Sequence, residues 1–483
     1  MKRKFILGLA VALLVPNASY AVNLNNGWKL NNKAKSEAKA YKFNDAINTY
    51  TKLAEFWKTV DWSKNPNTEQ DYIIALRNAE QLRTYGEIYV ERPANKKGFT
   101  NAKLEPISGC YIGAYAEAES NFSAADYFEV FPKLVGKKVA SYLIYVPYGT
   151  DISTYSTHFR LAKENNVSIE LALEPHKGLS EVQDNAYLEN FSKTLGEFGT
   201  KVFLRFANEM NDTNNAWHKD GPQMYKEKFK LVASKIHKNA PNVAMVWAPN
   251  NFPFTTIDSY YPGDESVDWV GLSAYAVNQP EVDPLEQGVD RRNYSSEFDY
   301  VYNKYSAKKP IMLSEGAASY YDVKHKKDIT NRAANDLREF YTTVPRRYPR
   351  VKALFYWSSN DPNTGKFQLS KNQTILNTYK EIISSPYYLS DMDAKGGISF
   401  VKTNETVLKK GEEKLSAFVK CYEPNITKVV YSIDGVKIGE ATQKPYEIKY
   451  DFSKITKEKF NIKIDVYNGN NLLFSKEQGA SIK

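Results

Sequence analysis

Residues 201–211 read Lys201-Val202-Phe203-Leu204-Arg205-Phe206-Ala207-Asn208-Glu209-Met210-Asn211, and residues 310–316 read Pro310-Ile311-Met312-Leu313-Ser314-Glu315-Gly316. Each is a short, mainly apolar run that finishes on a carboxylate. Such runs suit strands of a parallel sheet, because helices cover the faces of these sheets and both sides of each strand are buried. Working outward, six more runs of the same kind flank these two: 111–115, 139–147, 168–174, 243–248, 267–274 and 351–357. Helical periodicity fills intervals between them, as over 224–237 and 329–343. Eight strand-then-helix units over residues 108–390 predict an α/β fold, a (β/α)8 TIM barrel.

The two flanks differ in pattern. Residues 1–21 carry Lys2-Arg3-Lys4, then an apolar stretch from Phe5 to Val15, then the small residues Ser19 and Ala21 at the −3 and −1 positions of a cut after Ala21. That is the layout of a cleaved signal peptide, with an apolar run too short to span a bilayer. Export to the periplasm, cell surface or medium is therefore expected, without stable membrane insertion. Residues 22–107 are expected to form a helical N-terminal segment: Ala38, Tyr41, Ala46, Ile47, Tyr50 and Leu53 recur at helical spacing, as do Tyr72, Leu76, Ala79, Leu82 and Tyr85, with a break at Asn65-Pro66-Asn67. Residues 397–483 alternate apolar and polar at period two and are interrupted by Asp434-Gly435, Lys444-Pro445 and Asn468-Gly469. They predict a β-sandwich. The string VVYSIDGVKIGEATQKPYEIKYD (429–451) resembles the Ig-like modules of bacterial surface and secreted enzymes.

Composition narrows the function classes. The net charge of +9 is spread along the 483 residues rather than gathered in one tail or helix, so no nucleic-acid partner is expected. The five His and two Cys have no zinc-type spacing, so neither metal nor cofactor is expected. Cys110 and Cys421 fall in different predicted domains, which argues against a disulfide. The 35 Tyr, 24 Phe and 7 Trp offer stacking surface for sugar rings as well as core.

Active sites of such barrels lie where the strands end. Glu209 and Glu315 follow the fourth and seventh strand candidates, which face each other across an eight-stranded barrel. Two convergent carboxylates can cleave a glycosidic bond: one, protonated, assists the leaving oxygen, and the other, ionised, attacks the anomeric carbon. A barrel with Asn-Glu after its fourth strand and Glu after its seventh resembles the large clan of retaining glycosidases. Within it, FLRFANEMN (203–211), VWAPNN (246–251) and YYPGDESVDWVGLSAY (260–275) make the chain most similar to glycoside hydrolase family 26, the β-mannanase family. The resemblance implies Glu209 as general acid/base and Glu315 as nucleophile. It also implies Tyr275 as a hydrogen-bond donor to the nucleophile and Trp357 as the floor beneath the reacting sugar. Arg205 shares the inward parity of Glu209, where a guanidinium would hold the nucleophile ionised. Trp247 and Trp217 are weaker substrate-binding candidates. Two departures stand out: Asn208 replaces the usual His before the acid/base, and residues 212–216 delay Trp217. Asn208 can still meet a sugar 2-hydroxyl.

The expected function is that of a retaining endo-type β-glycosidase on a β-linked polysaccharide: mannan-like, mixed-linkage glucan, xylan or exopolysaccharide. The alternatives are a non-catalytic carbohydrate-binding surface protein on a barrel scaffold, or an assembly or export partner acting through the flanks. Cell surface or glycan is the contact expected of the Ig-like module.

Overall fold

The computed structural model describes residues 22–94, 102–119, 123–278, 283–287, 293–422 and 425–483. The expected signal peptide lies outside them. The chain divides into two compact units, residues 1–80 and 81–483.

In the first unit, helices Asn25–Lys39 and Phe43–Lys58 pack through Ala34, Ala46, Tyr50, Leu53 and Trp57, with Trp28 edge-on to Trp57 at 5.2 Å. A third helix, Asn67–Gln81, follows the Asn-Pro break.

The second unit contains the barrel. The strand preceding it in sequence, β1, is Tyr85–Pro93. The barrel strands are β2 (Cys110–Tyr115), β3 (Ser141–Pro147), β4 (Ser168–Glu174), β5 (Val202–Phe206), β6 (Val243–Trp247), β7 (Trp269–Ser273), β8 (Ile311–Gly316) and β9 (Val351–Trp357). Neighbours pair in parallel in chain order, and β9 returns to pair with β2, from Ala353 opposite Tyr111 to Trp357 opposite Tyr115. Closure leaves no barrel edge unpaired. β5 is buried at every position, as the reading of both-face burial requires. Helices such as Ala186–Phe198, Gly221–Asn239 and Thr330–Arg347 join the strands. Between β6 and β7 a 3₁₀ segment, Phe254–Tyr260, takes the place of a helix. The helix before β5 is bounded by local chemistry: the Asn185 side chain accepts from the Leu188 amide, and Gly199 closes the other end at φ 64°.

The barrel interior is filled by alternating large and small residues. Phe203, Trp269, Met312 and Phe355 interleave with Ala140, Ala172, Ala244 and Ala353. A Cβ at Gly113 would stand 2.5 Å from the Phe355 ring, so glycine there is what admits Phe355 to the centre.

The C-terminal β-region departs from the expected organisation. It is a sandwich of two sheets around one apolar core that includes Val429, Tyr431, Ile462, Ile464 and Val466. Its four-stranded sheet runs 398–402, β1, 412–420, 448–451. β1 thus lies between two C-terminal strands, antiparallel to both, with Val90 opposite Val401 on one side and Ile88 opposite Ala417 on the other. Residues 22–107 are therefore not helical throughout, and residues 397–483 do not contain the whole sandwich. The reason is the pattern of β1 itself: Ile88 and Val90 are fully buried in the sandwich core, a period-two signal that the helical reading of Leu82 and Tyr85 overran. The largely shielded side chain of Arg92 pairs with Glu413 on the neighbouring strand and supports this register.

Candidate active site

Glu315 ends β8 inside the barrel mouth and is 7% exposed. Three donors converge on its carboxylate. Arg205 Nη2 donates to Oε2 at 2.8 Å, the Tyr145 hydroxyl to Oε2 at 2.5 Å and the Tyr275 hydroxyl to Oε1 at 2.9 Å. The guanidinium bond is charge-assisted, and with the two phenols it fixes the position of the carboxylate. Arg205 is wholly shielded from solvent, on β5. Tyr145 lies on β3 and Tyr275 just beyond β7, so four strands meet on one side chain. Burial, with the neighbouring Glu315 charge, pushes both phenols well above their ordinary range and keeps them as donors.

Glu209 follows β5 at φ 54°, with Ala207 at φ 46° two residues earlier. The chain therefore leaves the strand through a left-handed turn, unusual for residues with a Cβ. Surrounding groups hold it there. The Glu209 amide donates to Ala248 O at 2.8 Å, Asn215 Nδ2 donates to Glu209 O at 2.9 Å, and Trp217 Nε1 donates to Asn208 O at 2.9 Å. Asn250 Nδ2 reaches Glu209 Oε1 at 3.2 Å. Burial, then the Glu315 charge, raises the Glu209 carboxyl to about 8, against the milder pull of Ser273 and Arg205. One rim thus carries a carboxyl biased towards the acid and a carboxylate held by three donors.

The other sequence candidates divide. Trp357 ends β9 half-buried, stacked on Tyr115 (5.6 Å, 13° between planes) and edge-on to Tyr275. Asn208 is buried beside Glu174. Its Oδ1 accepts no hydrogen bond among the described residues. Trp217 is nearly buried and braces the backbone of Asn208; it is a support rather than a stacking platform. Trp247 is corrected outright. It is fully shielded, with its ring against Tyr261 and Tyr305. Strand parity puts its side chain on the helix-facing side of β6, away from the interior where Val246 lies. The distinctive Tyr261-Pro262-Gly263-Asp264 loop feeds the start of β7, at the end opposite the carboxylates. There Tyr261 donates to Asp264 at 2.7 Å and Lys308 pairs with the same carboxylate.

Several groups at the site were not read from the sequence. Glu174 ends β4, with its carboxyl raised by burial against the pull of Arg205, and its Oε2 lies 3.5 Å from His176 Nε2. Tyr115 donates to Glu117 at 3.1 Å. Glu170, Glu174, Tyr145 and Asn250 all carried the same available signal: a polar or aromatic side chain at inward parity within or just after an apolar strand.

Residues 155–317, which include both carboxylates, match the model of glycosyl hydrolase family 26. A β-1,3-xylanase, TXYA, of a Vibrio species is 30% identical over 146 residues, 29% of this chain and 28% of that protein. A β-1,3-xylanase of an Alcaligenes species is 28% identical over 152 residues, 30% of this chain and 29% of that protein. The aligned region spans less than a third of the length of these curated relatives. Among solved structures, a double mutant of a Cellulomonas fimi endo-β-1,4-mannanase aligns with a TM-score of 0.45 at 11% identity, over 78% of this chain and 96% of that one. A family 26 β-mannanase from Bacteroides ovatus aligns with a TM-score of 0.43 at 13% identity, over 60% and 92%.

Proposed function

We propose that this chain, which carries a glycosyl hydrolase family 26 domain, hydrolyses a β-linked polysaccharide by double displacement. Glu315 is the nucleophile and Glu209 the general acid, then base. The observation that carries the reading is the opposite treatment of two carboxyls on one rim. Three donors, one of them a guanidinium, converge on the Glu315 carboxylate, whereas burial favours the neutral form of Glu209. In the first half-reaction Glu315 Oε attacks the anomeric carbon while Glu209 gives its proton to the departing oxygen. In the second, Glu209 takes a proton from water, which displaces Glu315. Trp357, stacked on Tyr115, supplies an aromatic floor for the sugar. Asn208 offers its side-chain carbonyl oxygen to a sugar hydroxyl.

β-1,3-Xylan and β-1,4-mannan are the first substrates to test, since the named relatives act on these. Mixed-linkage glucan and bacterial exopolysaccharide follow. A purely binding barrel would have no use for a guanidinium and two phenols assembled on a single carboxylate. The basic, apolar and small-residue run over 1–21 supports export of the chain to reach such a polymer. Incubation with this panel, with the anomer of the first product followed by NMR, tests the proposal. Hydrolysis with initial release of the β-anomer is expected. The α-anomer would overturn double displacement, and failure on every polymer would overturn the hydrolase reading.

A further inference from the structure

Deeper in the barrel lies a third carboxyl that the proposed displacement does not use. Glu170 sits near the middle of β4, four residues before Glu174, with its side chain wholly shielded from solvent. Neither oxygen has a hydrogen-bond partner of good geometry among the described residues. Its nearest cation is Arg205, with Nε 3.5 Å from Oε1, within ion-pair range but too long for a hydrogen bond. Arg205 is equally shielded, and its Nη2 is committed to Glu315 at 2.8 Å. One guanidinium therefore faces two carboxyls. If both were ionised, the shielded group would carry an uncompensated negative charge, which such an environment penalises heavily. A neutral Glu170 removes that excess and still packs against the guanidinium.

We propose that Glu170 is a positioning residue for Glu315 acting through Arg205: as a neutral carboxylic acid it packs against the guanidinium and leaves that positive charge to Glu315. The inference rests on Glu315 being the nucleophile of the reading above. Burial is the largest influence on Glu170 and raises it to about 8, with Arg205 and the nearby Ser314 opposing and the Glu315 charge adding. The groups that act on it are Arg205 from β5 and Glu315 and Ser314 from β8. Tyr145 from β3, Glu174 at the end of its own strand and Glu209 after β5 meet the same Arg205 and Glu315 rather than Glu170 itself. When Glu170 ionises it competes with Glu315 for Arg205, so the nucleophile is less well held at high pH.

Two measurements test this. The first needs no substrate. An unfolded Glu170 releases its proton near 4.5 and the folded one near 8. Between these values the native state binds more protons, and stability falls as pH rises. Glutamine cannot titrate, so the stability advantage of Glu170→Gln over the parent is expected to grow across that window and level off beyond it. Glu170→Met, which also lacks a titrating group, is expected to show the same growth and serves if the glutamine variant folds poorly. A pH-independent difference would mean that Glu170 is ionised in the native state and would overturn the inference.

The second measurement uses activated aryl β-glycosides (xyloside, mannoside and glucoside) in a Glu209→Ala background, where the raised carboxyl of the proposed acid is gone. With Glu170 present, kcat/KM is expected to fall at least about fivefold between pH 7 and 9; in Glu209→Ala/Glu170→Gln it is expected to stay within about twofold. A fall that survives the second substitution overturns the inference alone. Absence of hydrolysis by the parent on every glycoside and polymer overturns the hydrolase reading and this inference with it.

Discussion

Glu315 receives donors from Arg205, Tyr145 and Tyr275, whereas the Glu209 carboxyl receives an amide from Asn250 and is otherwise pushed towards its acid form by burial. Two side chains of identical chemistry are set apart by their neighbours, and the difference yields expectations that differ in kind. Glu315→Ala is expected to lower turnover by several orders of magnitude on any substrate, because no glycosyl-enzyme can form. Glu209→Ala is expected to spare the first step on an activated aryl glycoside, which needs little protonic help, and to leave the glycosyl-enzyme waiting for a base. Azide requires no base, so it should rescue the Glu209 variant with a β-glycosyl azide and the Glu315 variant, if at all, with the α-anomer. Product stereochemistry by NMR checks both, and the reverse pattern would exchange the two roles. On a natural glycan the acid must be protonated, so kcat/KM is expected to hold below pH 8 and fall as pH rises through the raised value of Glu209. A pH-rate profile with a poor leaving group reads this directly.

The turn that leaves β5 converts a strand into a site. Ala207 and Glu209 both adopt positive φ, and the turn is retained by the Glu209 amide on Ala248 O, the Trp217 indole on Asn208 O and the Asn215 amide on Glu209 O. A Cβ in this region costs roughly 1–2 kcal/mol, and a β-branched side chain more. Ala207→Val is therefore expected to lower stability by about 2 kcal/mol and to reduce kcat more than KM, since it displaces the carboxyl rather than the sugar platform. Thermal denaturation with steady-state kinetics on one substrate checks both parts. A fully stable, fully active valine variant would show that the turn is not under strain. Trp217→Phe probes the same element: it keeps the ring but loses the bond to Asn208 O, and a modest loss of kcat is expected.

At the scale of the molecule, β1 ties the sequence before the barrel to the sequence after it. Ile88 and Val90 are buried in the sandwich core, and β1 pairs with strands on both sides. Deleting residues 397–483 removes both pairing partners and exposes these side chains, at about 1.5–3 kcal/mol for each fully buried aliphatic residue. It also strips the buried Arg346 of the Ser416 hydroxyl it donates to at 2.9 Å and of the Phe400 ring 3.9 Å away. The shortened chain is expected to be aggregation-prone, because an apolar strand is left with two open edges. Removing residues 22–94 together with 397–483 is expected to restore much of the solubility. Size-exclusion chromatography of the two truncations distinguishes them, and a monodisperse, active 22–396 fragment would show that β1 is dispensable to the barrel.

The eight barrel strands were legible because burial on both faces demands uninterrupted apolar runs, and that demand is local. β4 begins and ends at the residues read from the sequence, β9 likewise, and the rest shift by a few residues at their ends. The placement of Glu209 and Glu315 at strand ends followed from the same runs. The membership of β1 was not legible, because its partners lie more than 300 residues away and no local pattern records whom a strand pairs with. The Trp247 reading failed for a related reason: an aromatic residue on a barrel strand looks the same in sequence whether it faces the interior or the helices, and parity counted from Val246 separates the two only once the interior is known. Glu170 shows the same limit at its sharpest. In sequence it is one charge in an apolar strand. Only the closed barrel brings Arg205 and Glu315 to it from two other strands, and a buried carboxyl's charge is decided by what surrounds it in space.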